Sequence, residues 1–108
     1  MGAIAASIRP GKLAVWEAFM AELNGPRQAE FHDMNRRFGL TEHRWWLQQM
    51  PDGHQIVFAV HDGPGAIDYM GKLATSENLF DLWVLDTLEE AHGFDFSGPL
   101  PPLAQRRL

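Results

Sequence analysis

The chain has 108 residues, 45% of them hydrophobic, a net charge of -5 and no cysteine. One domain fits that length, and the missing thiols exclude disulfide scaffolds, thiolate zinc sites, iron–sulfur clusters and cysteine nucleophiles. The basic residues are scattered, with no stripe to track phosphates, and the N-terminal apolar stretch is too short for a signal segment or membrane span, so a cytoplasmic protein that binds neither nucleic acid nor membrane is expected.

Ala3 to Arg9 reads as a short strand, with Ile4, Ala6 and Ile8 on one face and Ala3, Ala5 and Ser7 on the other. Pro10-Gly11 ends it. Lys12 to Leu23 is a helix, because Trp16, Phe19, Met20 and Leu23 form one apolar stripe. Asn24-Gly25-Pro26 interrupts the pattern, which resumes through Phe31, Met34 and Phe38, giving one kinked helix or two abutting ones that end at Gly39.

Thr41 to Met50 is a strand, Pro51-Asp52-Gly53 a three-residue turn, and His54 to His61 the return strand. Pairing Met50 with His54 fixes the register. Trp46 then faces Phe58 and Arg44 faces Val60 on one side, while Leu47 meets Val57, Trp45 meets Ala59 and His43 meets His61 on the other.

Ala66 to Leu73 is a short helix with Ile67, Met70 and Leu73 turned inward. Ser76 is the expected N-cap of a second piece, Leu79 to Ala91, whose apolar residues spread so far around the axis that it must contact more than its own sheet. His92-Gly93 closes that helix. Phe94 to Phe96 is a candidate last strand, and residues 97–108 are a Pro-rich extended tail beyond a domain of residues 1–96.

Strand, long helix, hairpin, helical pair and possible strand is the order of an α+β, ferredoxin-like split βαβ sandwich, with helices on one face of an antiparallel sheet. Both faces of the hairpin carry large apolar residues, so the uncovered face calls for a partner, most economically a second copy of the chain in a homodimer. Trp46-Leu47-Gln48 leading into Pro51-Asp52-Gly53, then Phe80-Asp81-Leu82-Trp83 and His92-Gly93-Phe94-Asp95, resemble the dimeric α/β-barrel superfamily. More narrowly, they resemble an uncharacterised bacterial family related to antibiotic-biosynthesis monooxygenase-like, EthD-like and stress-responsive barrel proteins. The resemblance implies a dimeric barrel with a pocket between helices and sheet. Some members are cofactor-free oxygenases, some bind haem and some have no known reaction.

Candidate proton-transfer residues are His43 and His61, opposed by the register, and His92, with Asp95 placed to orient its ring. Trp16, Trp45, Trp46, Tyr69 and Trp83 are candidate walls of an aromatic pocket, given room by Ala3, Ala5 and Ser7, and Arg44 is a candidate anion clamp, as is Arg9. Glu89 and His92 have the spacing of one half of a carboxylate-bridged metal site, but the motif occurs once, so no metal is expected. No phosphate loop, nucleophile elbow or nucleotide fingerprint occurs. The first functional reading is a small-molecule-binding barrel, expected to need no cofactor, that uses histidine acid–base chemistry on a hydrophobic or aromatic molecule. The alternatives are a non-catalytic dimerisation module, in which histidines and tryptophans serve only strand ends, core and interface, and a haem-binding barrel.

Overall fold

A computed structural model describes all residues 1–108. It is an α+β structure of three antiparallel strands and four helices: β1 (Gly2–Ser7), α1 (Leu13–Leu23), α2 (Gln28–Arg37), β2 (Glu42–Gln49), β3 (Gln55–Asp62), α3 (Tyr69–Thr75) and α4 (Leu79–His92). The sheet order is β1-β3-β2, with the β-branched strand β3 in the centre. No helix is long and apolar enough to cross a membrane.

The hairpin forms in the expected register: His43 pairs with His61, Trp45 with Ala59, Trp46 with Phe58 and Leu47 with Val57. Its turn is closed by the Met50 N–H on the His54 carbonyl at 2.8 Å and the Gly53 N–H on the Met50 carbonyl at 2.9 Å. Gly53 takes φ 94°, the left-handed position such a loop needs. Strand alternation puts Ile4, Ala6, Trp45, Val57 and Ala59 on the face under the helices, with His43 and His61 at one end. Ala3, Ala5, Arg44, Trp46, Phe58 and Val60 share the opposite face, where no helix packs, and Trp46 is 48% exposed.

The interruption after Leu23 makes two helices. Pro26 cannot continue the ladder, and Asn24 turns its side-chain amide back onto the Met20 carbonyl at 2.9 Å. The Arg27 guanidinium, 4.3 Å from the Trp83 ring centre, holds this corner against α4. α2 ends in a Schellman motif: Gly39 has φ 74° and the Leu40 N–H reaches the Asn35 carbonyl at 2.8 Å. α2 is tied to α4 by a charged network in which Arg37 grips the fully buried Asp81 with two hydrogen bonds of 2.8 Å and Asp33 with one more. Arg36 and Arg37 hold the exposed Asp33 carboxyl below its usual range.

Three expectations are corrected. α3 begins at Tyr69 and not at Ala66, so Ile67 falls in the preceding turn and is 67% exposed, while Met70 and Leu73 face the core as expected, with Ala66 and Tyr69 beside them. The preceding loop is pinned to the end of α2 (Gly65 N–H to Gly39 carbonyl, 3.0 Å), and this backbone junction holds Ile67 outside the helix. Asn78, not Ser76, caps α4, accepting from the Phe80 and Asp81 N–H groups. The Ser76 hydroxyl instead donates to Asp81 at 2.6 Å. Residues Phe94 to Phe96 form no strand, because the Phe96 N–H turns back to the Glu89 carboxylate and Asp95 folds onto Ser97. In the Pro-rich tail the Ala104 N–H bonds the Ala3 carbonyl on the free edge of β1 at 2.7 Å.

Candidate functional site

His43 and Trp45 are two residues apart on one strand and so share its inner face. The Trp45 indole N–H donates to His43 Nε2 at 2.6 Å. An indole only donates, so Nε2 holds the lone pair and Nδ1 carries the proton, donated to Asn35 Oδ1 at 3.0 Å. Burial, with a smaller contribution from His61, lowers the His43 pKa to about 3. His43 is therefore neutral near pH 7, with both nitrogens engaged. His61 is 0% exposed, its ring 5.6 Å from that of His43 and 5.0 Å from Tyr69. Neither of its nitrogens has a hydrogen-bond partner, and burial lowers its pKa. Gly2 makes room for this ring: a Cβ there would lie 2.5 Å from His61 Nε2.

These buried imidazoles predict acid sensitivity. The unfolded chain gains a proton at His43 as pH falls through about 6.5, whereas the folded chain resists until about 3. The His43 contribution is thus complete above pH 6.5, falls by about 1.4 kcal/mol per pH unit between the two values and then levels off. Urea unfolding should show a loss of about 2 kcal/mol from pH 7 to pH 5 on account of His43 alone. The His43→Gln variant should have a correspondingly shallower slope, and identical slopes would refute this assignment.

A second feature lies deeper. Between the inner sheet face and α1, α3 and α4 runs a narrow, almost wholly apolar slot of about 30 Å³, lined by Ile4, Ala6, Ala59 and Trp45 from the sheet and by Trp16, Tyr69, Met70 and Leu88 from the helices. Val57, His92 and Phe94 complete it. The His92 Nδ1–H donates to the Ser7 carbonyl at 2.9 Å, since a carbonyl only accepts. Nε2 is thereby left as a lone-pair acceptor, with the ring held by backbone. Burial lowers the His92 pKa, partly offset by that bond, so the ring is neutral near pH 7. Two slot-lining residues have buried donors without a partner, Trp16 at Nε1 and Tyr69 at its hydroxyl.

The structure separates the sequence-predicted residues. His43, His61, Trp45 and Tyr69 form one aromatic cluster, and Trp45, Tyr69 and His92 line the slot. Arg44 and Trp46 lie on the opposite sheet face, Arg44 pairing with Glu42 at 3.0 Å. Trp83 packs against Phe19 and Phe80 beneath Arg27, outside the slot. Arg9 bonds the Glu90 carbonyl. Ser7, not Asp95, orients His92, and Glu89 is occupied by the Phe96 N–H. The room comes from Ala6 and Ala59, since Ala3, Ala5 and Ser7 point the other way. Sequence reasoning missed Asn35, Met70, Leu88 and the Ser7 carbonyl. Only Ala6 and Ala59 had a readable signal, being small residues that strand alternation turns to the inner face, Ala6 opposite Val57 and Ala59 opposite Ile4. No group of three or more His, Asp or Glu side chains suited to a metal ion forms.

Searches against protein-family models, curated proteins and solved structures return no match to this chain.

Proposed function

We propose that this chain is a ferredoxin-like domain that dimerises into an α/β barrel and binds a small apolar molecule in the slot, where His92 acts as the acid–base group. The observation that carries the reading is His92 itself: Nδ1 is tied to the Ser7 carbonyl, Nε2 is free, and the ring borders an apolar slot. A neutral imidazole held in one tautomer by a backbone carbonyl is suited to accept a proton. The proton-transfer role narrows to this residue, because His43 has both nitrogens engaged and His61, fully buried, does not line the slot; His43 instead holds Trp45 against the slot. The β1-β3-β2 order with helices on one face supports the split βαβ reading, and the tail meets the β1 edge where a fourth strand would add. Thermal melts of the full chain with a panel of small aromatic and alicyclic compounds test the reading. A ligand at a hundred times its Kd should add about 2.7 kcal/mol. A flat response across the panel favours the non-catalytic alternative, which the narrowness of the slot supports.

Dimerisation is supported by the uncovered sheet face, where Trp46 and Phe58 stand exposed as a cross-strand pair beside half-buried Ile56 and Val60. Two such faces meeting would bury one another about a twofold axis. Light scattering should give a dimer mass at micromolar concentration. The Trp46→Glu variant should be a folded monomer, because charge on that face would be desolvated without a partner. A monomeric wild-type protein would overturn the barrel.

A further inference from the structure

We propose that the slot selects an uncharged, flat, hydroxyl-bearing molecule of about phenol size, and that the Phe94 ring occupies the place this molecule takes. The inference rests on the slot being the ligand site and adds the chemistry of its occupant. Of the eleven lining residues ten are apolar and the other is His92, so no Lys, Arg, Asp or Glu faces the interior. A carboxylate entering would lose its hydration with no cation to receive it. A neutral hydroxyl needs only one acceptor to offset its burial, and His92 Nε2, unengaged at the margin of the slot, is the one such group among the lining side chains.

The slot of about 30 Å³ is far smaller than the roughly 150 Å³ cavity that admits benzene. One wall must therefore move, and Phe94 is the least restrained. It follows Gly93, whose φ of 77° ends α4, and no backbone–backbone hydrogen bond involves it. Its ring is half-buried and packs 5.4 Å from the His92 ring and 5.9 Å from Phe96. An aromatic ring already sits against the imidazole, supplied by the chain itself, and a ligand ring would take its place.

The test is calorimetric titration of the full chain at pH 7.5 with phenol, toluene and benzoate, using wild type, Phe94→Ala and His92→Phe. Phenol should bind wild type about tenfold more tightly than toluene, the effect of one hydrogen bond, and benzoate at least about tenfold more weakly than phenol. Phe94→Ala should bind phenol about tenfold or more tightly than wild type, with no ring to displace. In His92→Phe the preference for phenol over toluene should vanish. Benzoate matching phenol in wild type overturns the proposal without any variant, as does a phenol preference that survives His92→Phe. Equal binding of phenol and toluene overturns the selectivity while leaving the slot as a ligand site. No binding of any of the three, to wild type or Phe94→Ala, overturns both.

Discussion

The Arg37→Met variant is expected to lose about 3 kcal/mol of folding stability, a drop in Tm of roughly 15 °C for a domain of this size. The reason is the Asp81 carboxylate, 0% exposed, which receives two hydrogen bonds from Arg37 and one from the Ser76 hydroxyl. Methionine replaces the length of the arginine stem but removes the charge, leaving a buried carboxylate with one neutral donor. The cost is that of desolvating an unpaired ion, not of losing a surface contact. One further measurement separates this mechanism from lost packing. The double variant Arg37→Met, Asp81→Leu should recover most of the loss, because removing both charges removes the penalty. A loss below about 1 kcal/mol, or a double variant no better than the single, would show that the pair does not act as a buried ion pair.

This network marks where the sequence stops being informative. The hairpin was legible because its information is local: Pro51-Asp52-Gly53 fixes the turn, the turn fixes the register, and the register places His43 opposite His61. The stripe of Trp16, Phe19 and Leu23 and the ending of α4 at Gly93 were legible for the same reason. Parity along a strand says which residues share a face but not which face the helices cover. Trp45 and Trp46 were therefore equal candidates for the pocket, although only Trp45 is under the helices. Arg44 followed the same ambiguity onto the open face. The partner of His92 was unreadable because it is a backbone carbonyl: any residue at position 7 would offer it, and only the packing of β1 against the end of α4 brings it within 2.9 Å. The start of α3, and with it the exposure of Ile67, was misread for a related reason, since it is decided by two backbones meeting at glycines.

That meeting gives the largest effect expected of any single substitution here. Replacing Gly65 with alanine should prevent normal folding or cost more than about 4 kcal/mol, the range reached only when structure cannot relax around a change. A Cβ at Gly65 would overlap the Phe38 carbonyl oxygen and would lie 2.8 Å from Lys72 Nζ, which itself donates to that carbonyl at 2.9 Å. Neither chain can retreat. The Gly65 N–H is bonded to the Gly39 carbonyl, Thr41 N–H to the Asp62 carbonyl, and Leu40 N–H to the Asn35 carbonyl. The junction holds α3 so that Tyr69 packs against His43 and His61, and a variant that folded by opening it would also disturb the slot. Gly71 is the matched control: it lies inside α3, has no positive φ, and a Cβ there meets nothing within 4 Å. Gly71→Ala should therefore stabilise by about 0.5–1 kcal/mol through helix propensity and a less flexible unfolded chain. Urea melts of the two variants beside wild type read both signs in one experiment. A Gly65→Ala protein within about 1 kcal/mol of wild type would mean that the two loops do not meet this closely and that α3 is placed by its apolar residues after all.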